Sequence, residues 1–346
     1  MAKRIDCRRT FGWQGITLRV PEDWDLGKVD GDFGNGYARL DDAQIVRAEV
    51  EWRSPPKRGR RLPMSQVVDR YLETLSQKAQ KGGVSFTVHR QSGFLRDKRW
   101  LEGCDYETFV WESDYRAYNL ARACGHCGRI VLLRVLGQLD EKVEGVVNEV
   151  FRSLGDHAEG GDLLWSVYGM TFRMPAEYKL AAHELKSGHI QLTFEQPGHE
   201  CRVHRLSMAG MLLRGVELTE WYPAFFRKQL RDFEHVVAAA SVRDHGGLRV
   251  SGRPRSRWRQ VLRPLPFVNP RPRRYLDGRV WHCEVGNRIC IVEHLHRKRD
   301  EAGDLADTLT HGYLCHPQGT EADPGGHAEL PADAQRAAEV GEERGG

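Results

Sequence analysis

The sequence contains no run of about eighteen apolar residues, and residues 1–13 are studded with Lys and Arg and lack an apolar core. A membrane helix and a secretory signal are therefore not expected, which predicts a cytoplasmic chain. Several catalytic signatures are missing as well. There is no Gly-x-Gly-x-x-Gly between a strand and a helix, no P-loop, no His-Glu-x-x-His and no Gly-x-Ser-x-Gly. The glycine-rich stretch 31–36 precedes a strand pattern, so it lacks the helix amides that would hold a phosphate and reads as a hairpin turn. No catalytic residues are assigned. At 40% apolar and 29% charged residues the chain is neither collagen-like nor wholly disordered, and 346 residues suffice for about two domains.

The formal charge of +4 conceals a local imbalance. Residues 253–299 hold 13 Lys/Arg against 3 Asp/Glu, whereas 300–346 hold 2 against 11. Within 251–274 lie Arg253, Arg255, Arg257, Arg259, Arg263, Arg271, Arg273 and Arg274, five prolines and no acid. The prolines forbid a helix, so the segment reads as an extended insertion. With Trp258 among them, these arginines form a candidate partner-binding surface, for an acidic protein face or, as the alternative, for nucleic acid held by charge and stacking. Residues 317–346, rich in Gly, Ala, Glu and Pro, read as a disordered acidic tail.

The chain also repeats itself. Gly15-Ile16-Thr17-Leu18-Arg19-Val20-Pro21 matches Gly169-Met170-Thr171-Phe172-Arg173-Met174-Pro175, with Trp24 and Tyr178 each three residues on. Cys124, Arg129 and Ile130 likewise align with Cys283, Arg288 and Ile289. The expected organisation is a first unit over 1–155, a linker over 156–162, a second unit over 163–316 and the tail. Alternating segments such as Gly15 to Val20 and Ala48 to Arg53 predict strands, which resume at Val84 to His89, Tyr106 to Trp111, Tyr115 to Ala123 and Arg129 to Leu136. Val67, Val68, Tyr71, Leu72, Leu75 and Ala79 predict a helix capped by Ser65, and Trp221, Tyr222, Phe225, Phe226, Leu230, Phe233 and Val237 predict its counterpart. A closing helix is expected over 143–154, with a weaker partner over 304–315. The predicted fold class is α+β, two tandem repeats, each an antiparallel sheet packed with two helices.

The Gly-x-Thr-x-Arg-x-Pro opening with its following aromatic residue, and a closing helix ending at Arg152-Ser153-Leu154, resemble the α/β units of the PsbP, DcrB and Mog-type superfamily. The resemblance implies a scaffold that in known members binds partners and mostly does no chemistry. A non-catalytic binding or scaffold protein, assembling with a protein partner, is the function it suggests.

The sharpest motif is Cys124-Gly125-His126-Cys127. As a thiol oxidoreductase site it would need its first cysteine at a helix N-terminus, where amides and dipole stabilise a thiolate. Here a strand pattern follows, and Ala123 precedes it where disulfide isomerases carry an aromatic residue. A zinc knuckle suits the turn better, because Cys-x2-Cys at a hairpin points both sulfurs at one tetrahedral ion. Cys124 and Cys127 with His282 and Cys283 form the candidate zinc quartet, with Cys104 and His126 as other ligands in view. A plain hairpin with two reduced thiols is the remaining reading. Fifteen histidines, including His294-x-His296 and Cys315-His316, add donors without fixing a third ligand.

Overall fold

The computed structural model describes residues 7–55, 62–90, 93–158, 160–255, 274–297 and 304–316. In the first half, β1 (Arg9–Trp13) and β2 (Ile16–Val20) form a hairpin. Its turn at Gln14 and Gly15 has positive φ at both residues, the geometry that a two-residue hairpin of this hand needs. Strands β3 (Asp25–Gly31), β4 (Asn35–Asp41) and β5 (Val46–Arg53) follow. Next come helix α1 (Met64–Gly82), strands β6 (Thr87–Arg90), β7 (Asp105–Glu112), β8 (Arg116–Ala123) and β9 (Ile130–Gly137), and helix α2 (Glu144–Arg152).

The second half opens with the hairpin β10 (Asp162–Val167) and β11 (Met170–Pro175) and continues through β12 (Lys179–Lys186), β13 (His189–Gln196) and β14 (His199–Ser207). Three short helices, α3 (Ala209–Leu212), α4 (Leu218–Phe225) and α5 (Arg227–Leu230), lead into β15 (Phe233–Val242) and β16 (His245–Pro254). Strands β17 (Tyr275–Cys283) and β18 (Arg288–His296) and helix α6 (Asp304–His311) complete it.

All strand pairings among the described residues are antiparallel. One seven-stranded sheet runs β3-β4-β5-β9-β8-β7-β6 and the other β12-β13-β14-β18-β17-β16-β15, the same order element for element. A four-stranded sheet, β11-β10-β1-β2, takes one hairpin from each half, joined where Gly12 faces Ser166. A Cβ on Gly12 would lie 2.7 Å from the Leu164 carbonyl oxygen, so only glycine lets these two backbones meet.

The predicted α+β class with two helices per repeat is corrected to a predominantly β fold. Half of the described residues are in strands and one fifth in helices. The largest discrepancy is the helix expected over 221–237. Its apolar spacing continues to Val237, but Pro223 removes an amide donor inside α4, the helix ends at Phe225, and Phe233 and Val237 fall on β15. Helix α1 forms where expected, though it follows Pro63 with no side-chain cap, so Ser65 does not cap it.

Both faces of each large sheet are covered. On β8, Tyr118 and Leu120 enter a core shared by the two halves, while Ala121 and Ala123 face α1 through Met64, Val68 and Leu72. On β18, Cys290 and Val292 join the shared core, and Ile289 and Ile291 pack with Tyr222, Phe226 and Leu230 from the helices of the second half. Neither strand is a continuous apolar run, since Asn119 and Arg122 on β8 and Glu293 and His294 on β18 are buried and polar. The shared core contains Trp13 and Trp165, edge to face at 5.1 Å, with Trp165 also against Phe194 at 4.8 Å.

Candidate metal centres

Two groups of Cys, His and Asp side chains bring their donor atoms within 4.8 Å of one another. The first is Cys124, Cys127, Asp156 and His157, and the second is His245, Cys283, Cys315 and His316. They occupy corresponding places. Cys124 directly follows β8 and Cys283 ends β17, each at the turn into the next strand. After the closing helix, Gly155 bridges to Thr17 in the first half and Leu314 to Thr171 in the second. Asp156 therefore corresponds to Cys315, and His157 to His316.

In the first group the turn is closed by hydrogen bonds from the Cys124 amide to the Arg129 carbonyl (2.8 Å) and from the Gly128 amide to the Cys124 carbonyl (3.0 Å). Gly128, at φ 72°, supplies the backbone conformation that lets the turn return to β9. Cys124 Sγ lies 3.6 Å from His157 Nδ1, which is also 2.7 Å from Asp156 Oδ1. Buried Arg122 stands 3.4 Å from the other Asp156 oxygen, and buried Arg129 donates to the Asp156 and Gln14 carbonyls at 2.9 Å each. Neither guanidinium offers a donor atom to a metal; both hold Asp156 in place from outside the donor set.

In the second group Cys315 Sγ is 3.2 Å from His245 Nε2 and 3.3 Å from His316 Nδ1, and Cys283 Sγ is 3.3 Å from His316 Nδ1. The Gly286 amide donates to Cys283 Sγ at 3.4 Å. A hydrogen bond from the Cys283 thiol holds Cys315 down, at about 4, and pushes Cys283 itself up. A tetrahedron with Zn–S near 2.3 Å and Zn–N near 2.0 Å has S···N edges of about 3.5 Å. The separations in the second group, 3.2, 3.3 and 3.3 Å, fall slightly below that value, and the 3.6 Å Cys124–His157 separation of the first lies just above it. Arg288, the counterpart of Arg129, donates to the Gly169 carbonyl at 2.6 Å, so each site also ties a large sheet to the tip of the neighbouring hairpin.

The sequence-derived quartet is divided. Cys124 and Cys127 belong to the first group and Cys283 to the second, while His282, whose imidazole is lowered by burial, joins neither. Cys104 and His126 also lie outside both groups, although the His126 ring stacks on His157 at 5.1 Å. Sequence reasoning placed Asp156 and His157 in a linker, but the Asp156 side chain is fully buried. His245 was not singled out. One signal was available: His157 and His316 each follow the first cysteine of their group by the same 33 residues. The Cys127 thiol is pushed up, chiefly by burial, and its turn leads to a strand. Neither feature is that of a thioredoxin-type nucleophile, which needs a depressed pKa.

Of the arginine surface, Arg257, Trp258, Arg259, Arg263, Arg271 and Arg273 lie outside the described residues, as does the acidic tail 317–346. Arg253 pairs with Glu234 at 2.7 Å and Arg274 pairs with Glu200, while the Arg255 amide donates to the Asp232 carbonyl.

No protein-family model matches the chain, and no curated protein matches it. Among solved structures, immunity protein TplEi of T6SS from Pseudomonas aeruginosa, complexed with "L" peptide, aligns with 90% of this chain and 100% of its own. The identity is 10% and the TM-score 0.34. Its apo structure aligns with 89% of this chain and 98% of its own, at 11% identity and a TM-score of 0.33. Likeness at this level transfers no property to this chain. Among the described residues no helix is long and apolar enough to cross a membrane.

A separate histidine pair sets a pH dependence. His189 Nε2 and His204 Nδ1 are 3.1 Å apart, so one ring must donate and the other accept. Burial, followed by repulsion from His204, lowers the His189 imidazole to about 4. The unfolded chain takes up this proton near pH 6.5 whereas the folded chain resists it, so the contribution is present above about 6.5 and is lost as the pH falls toward about 4. His189→Gln is expected to show a smaller drop in denaturation midpoint between about pH 7 and pH 5 than the parent chain. An equal drop would count against this assignment.

Proposed function

We propose that the chain is a non-catalytic binding protein whose two halves are each pinned by a structural Zn2+. The observation that carries the metal assignment is the recurrence of a Cys/His cluster at one place in two sheets of identical strand order. The second site is a complete Cys2His2 set, and the first is Cys2AspHis, with donor types that suit zinc. Bound zinc would fasten a hairpin turn to the residues after the closing helix, 33 positions away. An ion with four protein ligands has no position left for a substrate, which supports a structural over a catalytic role. Met208, just before α3, Met211 on α3 and Phe225 on α4 are apolar and exposed, which accords with a protein partner. The paired state of Arg253 and Arg274 gives nucleic acid no comparable support.

Elemental analysis of purified protein is expected to find about two zinc equivalents per chain. One should be lost in Cys124→Ser/Cys127→Ser and the other in His245→Ala/His316→Ala. Folded protein that carries no zinc after expression with zinc supplied would remove the reading.

A further inference from the structure

The two sites differ in what surrounds them. In the second, Cys283 and Cys315 are 0% and 1% exposed and come from separate elements. In the first, both thiols belong to one four-residue turn, Cys127 is exposed, and the His157 side chain is 38% exposed. Water reaches one thiol of this pair, Cys127, while Cys124 is buried at 7% exposure; the two are three residues apart with sulfurs within 4.8 Å, so closing a disulfide needs little backbone movement. The buried pair in the second site is shielded from any solute.

We propose that the first site is an oxidation-sensitive zinc site, in which a peroxide converts Cys124 and Cys127 to a disulfide and expels the ion. This rests on the zinc reading above. Cys127 Sγ, exposed and deprotonated as a ligand in the zinc-loaded protein, attacks one peroxide oxygen. The O–O bond breaks, a sulfenic acid forms on Cys127, and hydroxide departs. Cys124 Sγ then attacks the Cys127 sulfur, forming the S–S bond and breaking the S–O bond with loss of a second hydroxide. Two sulfurs together give up two electrons, one peroxide becomes two hydroxide ions, and the zinc, left with Asp156 and His157 alone, is released. A dithiol reductant with zinc reverses the change. The second site keeps its ion throughout, so the fold persists while the hairpin in the first half is unfastened.

The test uses the full zinc-loaded protein, hydrogen peroxide as the oxidant and a chromophoric chelator to read released metal. Release of one zinc of the two is expected, with a Cys124–Cys127 disulfide found by peptide mapping and rebinding of one equivalent after dithiothreitol and zinc. Cys127→Ser removes a ligand of the first site, so it is expected to carry one zinc before peroxide and to release none, with no disulfide, while His245→Ala/His316→Ala, which keeps only the first ion, releases it on peroxide treatment with the Cys124–Cys127 disulfide formed. Release of both ions together, release of none, or loss of the first ion with Cys127 as sulfinic acid and no disulfide each overturns the proposal. Protein that carries no zinc before peroxide is added instead defeats the underlying zinc reading, so the two failures are told apart.

Discussion

Replacing Cys283 and Cys315 together by serine is expected to remove one zinc and to lower stability by on the order of 5 kcal/mol. Structural zinc in small fingers contributes about 10–16 kcal/mol because nothing else orders the chain. Here the second half keeps its sheet and core, so only part of that amount is at stake. What the ion would hold is the junction of three pieces: the β17–β18 turn at Cys283, the start of β16 at His245, and Cys315-His316 beyond α6. Two serines in a buried pocket also leave two imidazoles facing hydroxyls without the ion that organises them. The check is a thermal or denaturant unfolding curve beside a zinc determination. Cys201→Ser is the control, because Cys201 is equally buried and belongs to neither cluster. If the double variant unfolds like that control, the second site contributes no metal-dependent stability.

Trp165→Ala is expected to cost about 3–5 kcal/mol and to destabilise both halves in one transition. Trp165 is 1% exposed on β10, packs edge to face on Trp13 of the first half and touches Phe194 of the second. Truncation leaves a cavity in a core to which both halves contribute, in a sheet that neither completes alone. Urea unfolding followed by two signals, far-ultraviolet circular dichroism and tryptophan fluorescence, should shift in step. Two separated transitions, with the first half unchanged, would show that the halves are energetically independent and that the shared sheet is a minor contact.

Much of the local structure was legible. The alternation in Tyr106 to Trp111 and Arg129 to Leu136 is realised as β7 and β9, and the 31–36 stretch is the β3–β4 turn. The long apolar spacing of α1 and the Val-rich face of α2 are also realised. Error entered where two periods coexist. From Trp221 to Val237 the helical spacing is realised in two short helices, α4 broken near Pro223 and α5 ending at Leu230, and then runs without a gap into the strand β15 that holds Phe233 and Val237. The two halves also share a four-stranded sheet and a core, which no local pattern announces. Asp156 and His157 resemble a polar linker in sequence, yet Arg122 and Arg129 hold the Asp156 side chain in a buried position, with the more exposed His157 beside it.

The candidate site shows the same limit in sharper form. Cys124-Gly-His-Cys127 is visible because its two thiols share one turn, and turn chemistry is local. Which histidine meets which cysteine is not local: His245 reaches Cys315 across 70 positions, and each Cys/His pair after a closing helix spans 33. The sequence alone determined the strand and turn pattern, the cysteine turn and the charge imbalance, because each depends on neighbours a few residues apart. Only the tertiary structure decided that there are two metal-type clusters in place of one, which thiols are exposed, and that one sheet binds the halves together. Those outcomes depend on sheet order and packing, which bring together residues that no local pattern connects.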